Sequence, residues 1–578
     1  MSESLTISRR ADPCVRDRLP RSSEQGRGWR RCVAFGTVLL FLSAVSGCVY
    51  PLEGRDGDPG EYTTSFALSV KNVGSTVPST KMNGTVVQSD GTFRGIERLY
   101  VVPFHTDGAV SVMADNPRHG GRNVDLNSIG IGSNDLISGN NAHLFDDVVM
   151  PNLMNRVLVY GKATDVIVSE SEKKRKQRNG VLTPVGLDSP SLASDISFSL
   201  ESILENDELQ AVEDMSDELI AALNGVVTAI RNSGEPSFNG IFQYAEDQIL
   251  ACSYSTFFSI QENVQSMIFG YHGPGVAAIG AALNNFAVKL GNAGKNFPAS
   301  YGIPEGAVGF WWNGKEFRRL ISGVNINLVP ISSYSFPPNL WYFANSQVRT
   351  SKDPSVKNEY VPENESWTGI LSHYVDGATV LYSTQSVALY DQLQYGVSLL
   401  ELSLSANVVA AAQGCPLTGI IVGDQKDVDF EFKPTTAQND IRRFVYDLVD
   451  NGPVLGSSGS APIPTLLLQT TAGEPVHFAL EFKNNKSTKL RGQQGDILPG
   501  CKFYLAGVLD PAAVVGPAQV FSTSVFCQDC KTTISVMVES IEHAYNTVPD
   551  LNSPQLEVGI VAEMKWSQVT PQSLKLNL

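Results

Sequence analysis

Two periodicities divide the chain. Up to about residue 195 and again after about 300, apolar residues alternate with polar or small ones in short runs, the spacing of half-buried strands; between 195 and 290 they recur every three or four positions, as on helices. The alternation predicts strands at 63–71 (TTSFALSVK, with Phe66, Leu68 and Val70 on one side), 98–104 and 156–160, and at Trp311-Trp312. Further strands are predicted at 325–330, 340–344, 378–383, 400–406, 465–469, 477–482, 503–509, 534–540 and 556–566. Turns rich in Gly, Pro and Asn separate them, which suggests β-sandwiches. In the helical block Leu200, Ile203, Leu204, Val212, Leu219, Ile220, Leu223, Val227 and Ile230 form an apolar stripe with acidic residues opposite, so amphipathic helices laid on a sheet are expected, continuing through 249–267. The expected fold class is mainly β, with a helical insertion at about 195–290. Phe336-Pro337-Pro338 is the expected boundary between an amino-terminal domain, 63–335, and a carboxy-terminal domain, 336–578, because proline interrupts a ladder there.

One stretch fits neither period. Residues 33–48 (VAFGTVLLFLSAVSGC) hold an uncharged apolar run, preceded by Arg27, Arg30 and Arg31 and closing on small residues. That order is a signal peptide, here with an extended start, and the run is shorter than the roughly 20 residues of a membrane span. Val45-Ser46-Gly47-Cys48 resembles a bacterial lipobox. The resemblance implies that signal peptidase II cuts between Gly47 and Cys48, and that acyl chains on Cys48 anchor the protein at a membrane, each buried CH2 contributing about 0.8 kcal/mol. Residues 48–62, rich in Gly, Pro and Asp, read as a tether.

Charge narrows the partners. Of the net −16, residues 1–47 contribute eight Arg against four acidic residues, so the remainder carries about −20. That argues against nucleic acid as a partner. The basic run 173–178 reads as a hydrated surface loop.

Catalytic chemistry has little to build on. Seven histidines with no HExxH pair support no hydrolytic metal centre, and no cofactor is expected. The glycines of 269–290 (FGYHGPGVAAIGAALNNFAVKL) lack a following Walker Lys-Ser/Thr and read as close helix packing; 456–460 (GSSGS) lacks the GxSxG register. Cys252, Cys415, Cys501, Cys527 and Cys530, an odd five after Cys48, exclude a dense disulfide scaffold. Cys527-Gln528-Asp529-Cys530 has no second pair for a zinc ribbon and follows strand-like residues, so it reads as a disulfide or as two idle thiols. The chain is not expected to be an enzyme.

Residues 525–566 (VFCQDCKTTISVMVESIEHAYNTVPDLNSPQLEVGIVAEMKW) resemble the carboxy-terminal signature of the Bacteroidia-type fimbrillins, the FimA/Mfa-like lipoprotein pilins. The matching positions include Val525-Phe526, Gln528-Asp529, Thr532-Thr533, Ala544-Tyr545-Asn546, Val548-Pro549-Asp550-Leu551, Ser553-Pro554-Gln555-Leu556 and Trp566. Shorter pieces match upstream at Phe93-Arg94-Gly95-Ile96, Val102-Pro103-Phe104, 157–161, 304–307, 340–346 and 503–511, in the family's order. Cys527, Cys530 and the large helical block depart from it. Read without the family, Pro549 and Pro554 bracket a turn in which Asp550 and Asn552 bond nearby amides, before a last strand on Leu556, Val558 and Ile560.

The resemblance implies two transthyretin-like β-sandwiches, export as a lipoprotein to the outer membrane, and removal of the first strand by a trypsin-like maturation protease. Other fimbrial subunits would be the partners, each filling the groove of the next with a strand, in an accessory or tip role with a host protein or glycan as the adhesion target. Applied to these residues, 63–71 is the strand removed and Lys81 or Arg94 the cut site. The rival expectation is a carbohydrate-binding surface lipoprotein that does not polymerise, with Trp311-Trp312 as the aromatic platform.

Overall fold

The computed structural model describes residues 4–9, 61–69, 96–104, 124–125, 143–151, 156–163, 182–187, 190, 192–294, 296–297, 302–320, 329–347, 386–388, 394–407, 410, 413–435, 443–456, 459–511, 524–553, 556 and 558–568. They form a mainly β protein with three α-helices among them. The predicted strands at 325–330 and 378–383 lie largely outside these residues.

The carboxy-terminal part is layered. An outer sheet runs in the order Ile463–Leu467, Ser398–Ala406, Cys530–Val538, Ile560–Gln568. An inner sheet runs Tyr334–Ser335, Arg443–Leu448, Leu417–Gln425, Val476–Lys483, Lys502–Leu509. Leu400, Leu402 and Leu404 point from the outer sheet onto Ile420, Val422, Val445, Phe478, Leu480 and Leu505 of the inner one, in one continuous core. Each such side chain contributes roughly 1.5–3 kcal/mol by leaving water.

The inner sheet also has a covered back. Ile421, Phe444, Tyr446, Ala479 and Tyr504, the alternate residues of the same strands, belong to a second core shared with the helices. These strands are therefore buried on both faces, as sheets between two layers are. Leu417–Gln425 has a single half-buried position, whereas Cys530–Val538 in the outer sheet alternates buried with accessible along its length.

The helical layer comprises α1 (Asn206–Ser233), α2 (Tyr254–Ile268) and α3 (Val276–Ala293). α1 buries Val212, Leu219, Ile220, Leu223, Val227 and Ile230, the predicted stripe with Leu200, Ile203 and Leu204 removed, and ends on Gly234 in the left-handed conformation at φ 66°. Leu200 instead closes the strand Ser197–Leu200. The helical run expected through 249–267 is likewise split. Gln248–Ala251 is a buried strand, and α2 starts only after Ser253, whose Oγ accepts the Thr256 N–H at 3.0 Å. That strand joins Gly309–Trp312 and Phe317–Arg319 in a small sheet beneath the helices, where Phe257 of α2 stacks on Phe310 with ring centroids 4.9 Å apart.

Of the glycines expected to serve close packing, Gly275 does so against the end of α1, whereas Gly280 within α3 does not. A Cβ at Gly280 or Gly291 would meet nothing within 4 Å, and the helix packs through Ile279, Leu283, Phe286 and Leu290. Gly275 is the tight one: its φ is 78°, and a Cβ there would lie 2.9 Å from Ser233 Cβ.

Chain order and sheet membership cross at the proline pair. Tyr334–Ser335, before it, pairs in parallel with Arg443–Leu448 of the inner sheet; Trp341–Gln347, after it, pairs antiparallel with Arg156–Ala163. The latter sheet runs Gln394–Tyr395, Trp341–Gln347, Arg156–Ala163, Ile96–Phe104, Val124–Asp125. Its aromatic core joins Tyr160, Trp341 and Phe343 to Phe198 and Phe432, the last two stacked at 4.4 Å, and the Tyr160 hydroxyl donates to the Phe430 carbonyl at 2.6 Å. Phe432 holds φ at 59° to reach this cluster.

Candidate functional site

The residues singled out for processing, Gly47, Cys48, Lys81 and Arg94, lie outside the described residues. The strands on either side of them are described, and their pairing is informative. The first predicted strand is present as Glu61–Ser69. It pairs antiparallel with His143–Pro151 on one side and with Ser4–Arg9 on the other. Ser4–Arg9 in turn pairs with Ser386–Ala388, so this segment lies between two strands, making six residue pairs on one side and three on the other. Ile96–Phe104, which follows Lys81 and Arg94, belongs to a different sheet.

The outer sheet offers two edges. Ile463–Leu467 carries Pro464, which cannot donate to a ladder, opposite Glu401. Ile560–Gln568 pairs with Cys530–Val538 over nine residues and has no second ladder partner among the described residues. Such an edge presents unpaired N–H and C=O groups to a further strand.

The signature turn serves packing. Asp550 Oδ1 accepts the Asn552 N–H at 2.9 Å, and Val548 and Leu551 enter the core between inner sheet and helices. The last strand begins at Ile560, so Leu556 and Val558 precede it. Asn546 bridges layers: its Nδ2 donates to the Ile249 carbonyl at 2.9 Å, while its own N–H donates to Gln494 Oε1 at 3.0 Å.

A buried polar cluster sits at the same junction, and nothing in the sequence pattern pointed to it. Glu481 is sealed from water on the helix-facing side of the inner sheet. Its carboxylate accepts from Lys502 Nζ at 2.8 Å, Thr418 Oγ1 at 2.7 Å, the Tyr504 hydroxyl at 3.0 Å and the Tyr446 hydroxyl at 3.3 Å. Burial works against the charge on Lys502, but Glu481 and Glu305 outweigh it and hold the ammonium above the usual lysine range. Burial, then Glu481, pushes the Tyr504 and Tyr334 hydroxyls well above theirs. With four donors on the carboxylate, the cluster ties neighbouring strands of the inner sheet together on its helix-facing side. Among the described residues no group of three or more His, Cys, Asp or Glu is arranged to hold a metal ion.

Of the aromatic pair offered for sugar stacking, Trp311 is half-buried and Trp312 is buried. Trp312 is 3% exposed and packs on Phe317 at 4.7 Å, with the Arg231 guanidinium 5.5 Å above its ring. No helix among the described residues is long and apolar enough to cross a membrane.

No family model matches the chain, and no curated protein matches it in sequence. Solved structures similar to it carry the description "putative cell adhesion protein". One, from Parabacteroides distasonis ATCC 8503, is 8% identical, with 87% of this chain and 95% of that one covered at a TM-score of 0.30. A second, from Bacteroides eggerthii DSM 20697, is 9% identical, with 86% and 98% covered at 0.29. Another from Parabacteroides distasonis ATCC 8503 is 9% identical, with 87% and 98% covered at 0.27.

Proposed function

We propose that this protein is a non-enzymatic subunit of a surface fimbrium, exported as a lipoprotein anchored through Cys48 in the outer membrane and assembled by donor-strand exchange. The observation that carries the reading is the slot filled by Ser4–Arg9. Cleavage between Gly47 and Cys48 takes that strand away and leaves a strand-wide gap between Glu61–Ser69 and Ser386–Ala388. A gap of that kind, bounded by two backbone ladders, takes an extended segment from a neighbouring subunit by β-augmentation. A second cut at Lys81 or Arg94, by a protease with trypsin-like specificity, also frees Glu61–Ser69, so in the assembled subunit the groove is bounded by His143–Pro151 and Ser386–Ala388 and the donated strand takes up the ladder of His143–Pro151. The sequence resemblance of residues 525–566 supports the same reading. Adhesion to a host protein or glycan belongs to the accessory or tip role it implies.

Amino-terminal sequencing of the chain in sheared surface filaments tests it. The expected start is residue 82 or residue 95, in material that runs as a ladder of multimers unless boiled. A monomer that starts at Cys48 and never enters filaments overturns the reading and favours the non-polymerising lipoprotein.

A further inference from the structure

We propose that Cys527 and Cys530 are a dithiol built to close into an intramolecular disulfide, a covalent lock on the crossing between the sheet that holds Trp341–Gln347 and the outer sheet. The proposal does not depend on the fimbrial reading.

The turn has the geometry a disulfide needs. The Cys530 N–H donates to the Cys527 carbonyl at 3.2 Å. A four-residue turn closed this way holds its end Cα atoms within about 7 Å, overlapping the roughly 4.4–6.8 Å that disulfides span. Asp529 sits at the third position with φ 55°, a left-handed conformation that Asp tolerates better than most residues. Before the turn, the Phe526 N–H donates to Thr470 Oγ1 at 3.1 Å; after it, Cys530 opens the strand Cys530–Val538. The two thiols are themselves hydrogen-bonded, a contact that with burial holds the Cys530 proton tightly. Cys527 is partly exposed and Cys530 is buried, the arrangement of an entry sulfur and a resolving one.

The same turn is a clasp. Asp529 Oδ1 accepts the Tyr395 N–H at 3.1 Å, the Asp529 N–H donates to the Val397 carbonyl at 3.3 Å, and Ser398 Oγ donates to the Cys530 carbonyl at 3.3 Å. Tyr395 pairs with Tyr342 in the sheet that holds Trp341–Gln347, and Ser398 opens the outer-sheet strand Ser398–Ala406. These three bonds run through Asp529 and the Cys530 carbonyl, so fixing Cys527 to Cys530 fixes the turn that makes them. Cys252, Cys415 and Cys501 are different: all are buried, and none has a second cysteine within three residues of it.

Closure consumes a disulfide oxidant such as glutathione disulfide. The Cys527 thiolate attacks one glutathione sulfur and expels glutathione thiolate; Cys530, giving up its proton, then attacks the Cys527 sulfur and expels the second. One protein S–S bond forms, one glutathione S–S bond breaks, and two protons leave the protein thiols.

The test treats the reduced full chain with glutathione disulfide, alkylates it in denaturant and maps the peptides by mass. The expected product is one peptide, spanning 527–530, lighter by two hydrogens and unalkylated, with Cys252, Cys415 and Cys501 alkylated. Amide exchange at Tyr395 should slow on oxidation and stay unchanged in C527S and C530S. Stable glutathione adducts on Cys527, or both thiols alkylated after oxidation, overturn the proposal. The oxidised and reduced wild-type protein carry the comparison if either variant fails to fold.

Discussion

Lys502 Nζ and Glu481 Oε1 lie 2.8 Å apart on adjacent strands of the inner sheet, the carboxylate fully buried and the lysine side chain 11% exposed. The pair ties two neighbouring strands together on the helix-facing side of a sheet that must satisfy cores on both of its faces.

Lys502→Met removes the cation and leaves the carboxylate charged among tyrosines. Breaking a buried pair from one side costs about 3–5 kcal/mol. Guanidinium denaturation is expected to show a loss of that size for K502M. K502M with Glu481→Leu should recover part of it, because no unpaired buried charge then remains.

The same cluster sets an alkaline limit. The folded state raises Lys502 above its ordinary 10.5 and Tyr504 above its ordinary 10.0. A raised group binds its proton more tightly folded than unfolded, so its stabilisation is complete below the unfolded value and is lost as pH climbs from there through the folded one. Thermal unfolding is expected to hold steady up to about pH 10 and then fall, and K502M should lose the lysine part of that fall.

Asn546→Ala deletes the bond to Ile249 and leaves that buried carbonyl without its partner. A loss of about 1–3 kcal/mol is expected by denaturant titration. Surface Asn552→Ala, which keeps the Asp550 turn backbone, should lie within about 0.5 kcal/mol of wild type.

Phe198→Ala empties the centre of the aromatic cluster formed with Tyr160, Trp341 and Phe432. The expected cost is about 3–5 kcal/mol, read from the denaturation midpoint.

In cells, Lys81→Ala combined with Arg94→Ala is expected to leave the amino terminus at Cys48 and to abolish incorporation into filaments. Immunoblots of the sheared surface fraction, with the lipidated monomer retained in the membrane fraction, check it.

Legibility in the sequence followed burial. The outer-sheet strands were visible because one face is wet: Ser398–Ala406 and Cys530–Val538 alternate, and the alternation placed them at 400–406 and 534–540. Leu417–Gln425 and Arg443–Leu448, the middle of the inner sheet, were not placed at all. They are buried on both faces, so their sequences (LTGIIVGDQ, RFVYDL) carry no period of two to detect. Their signal was a short apolar run between turns, which a buried helix shares.

Alone, the chain's order of residues determined the mainly β class, the helical block and its buried stripe, and the Asp550 turn, because each depends on neighbours within a few positions. The tertiary structure decided what pairs across distance: Trp341–Gln347 with Arg156–Ala163, Ser4–Arg9 between Glu61–Ser69 and Ser386–Ala388, Glu481 beside Lys502, and the Cys527–Cys530 turn against Tyr395. Local pattern says which face of a strand turns inward. Only the assembled layers say what it meets there.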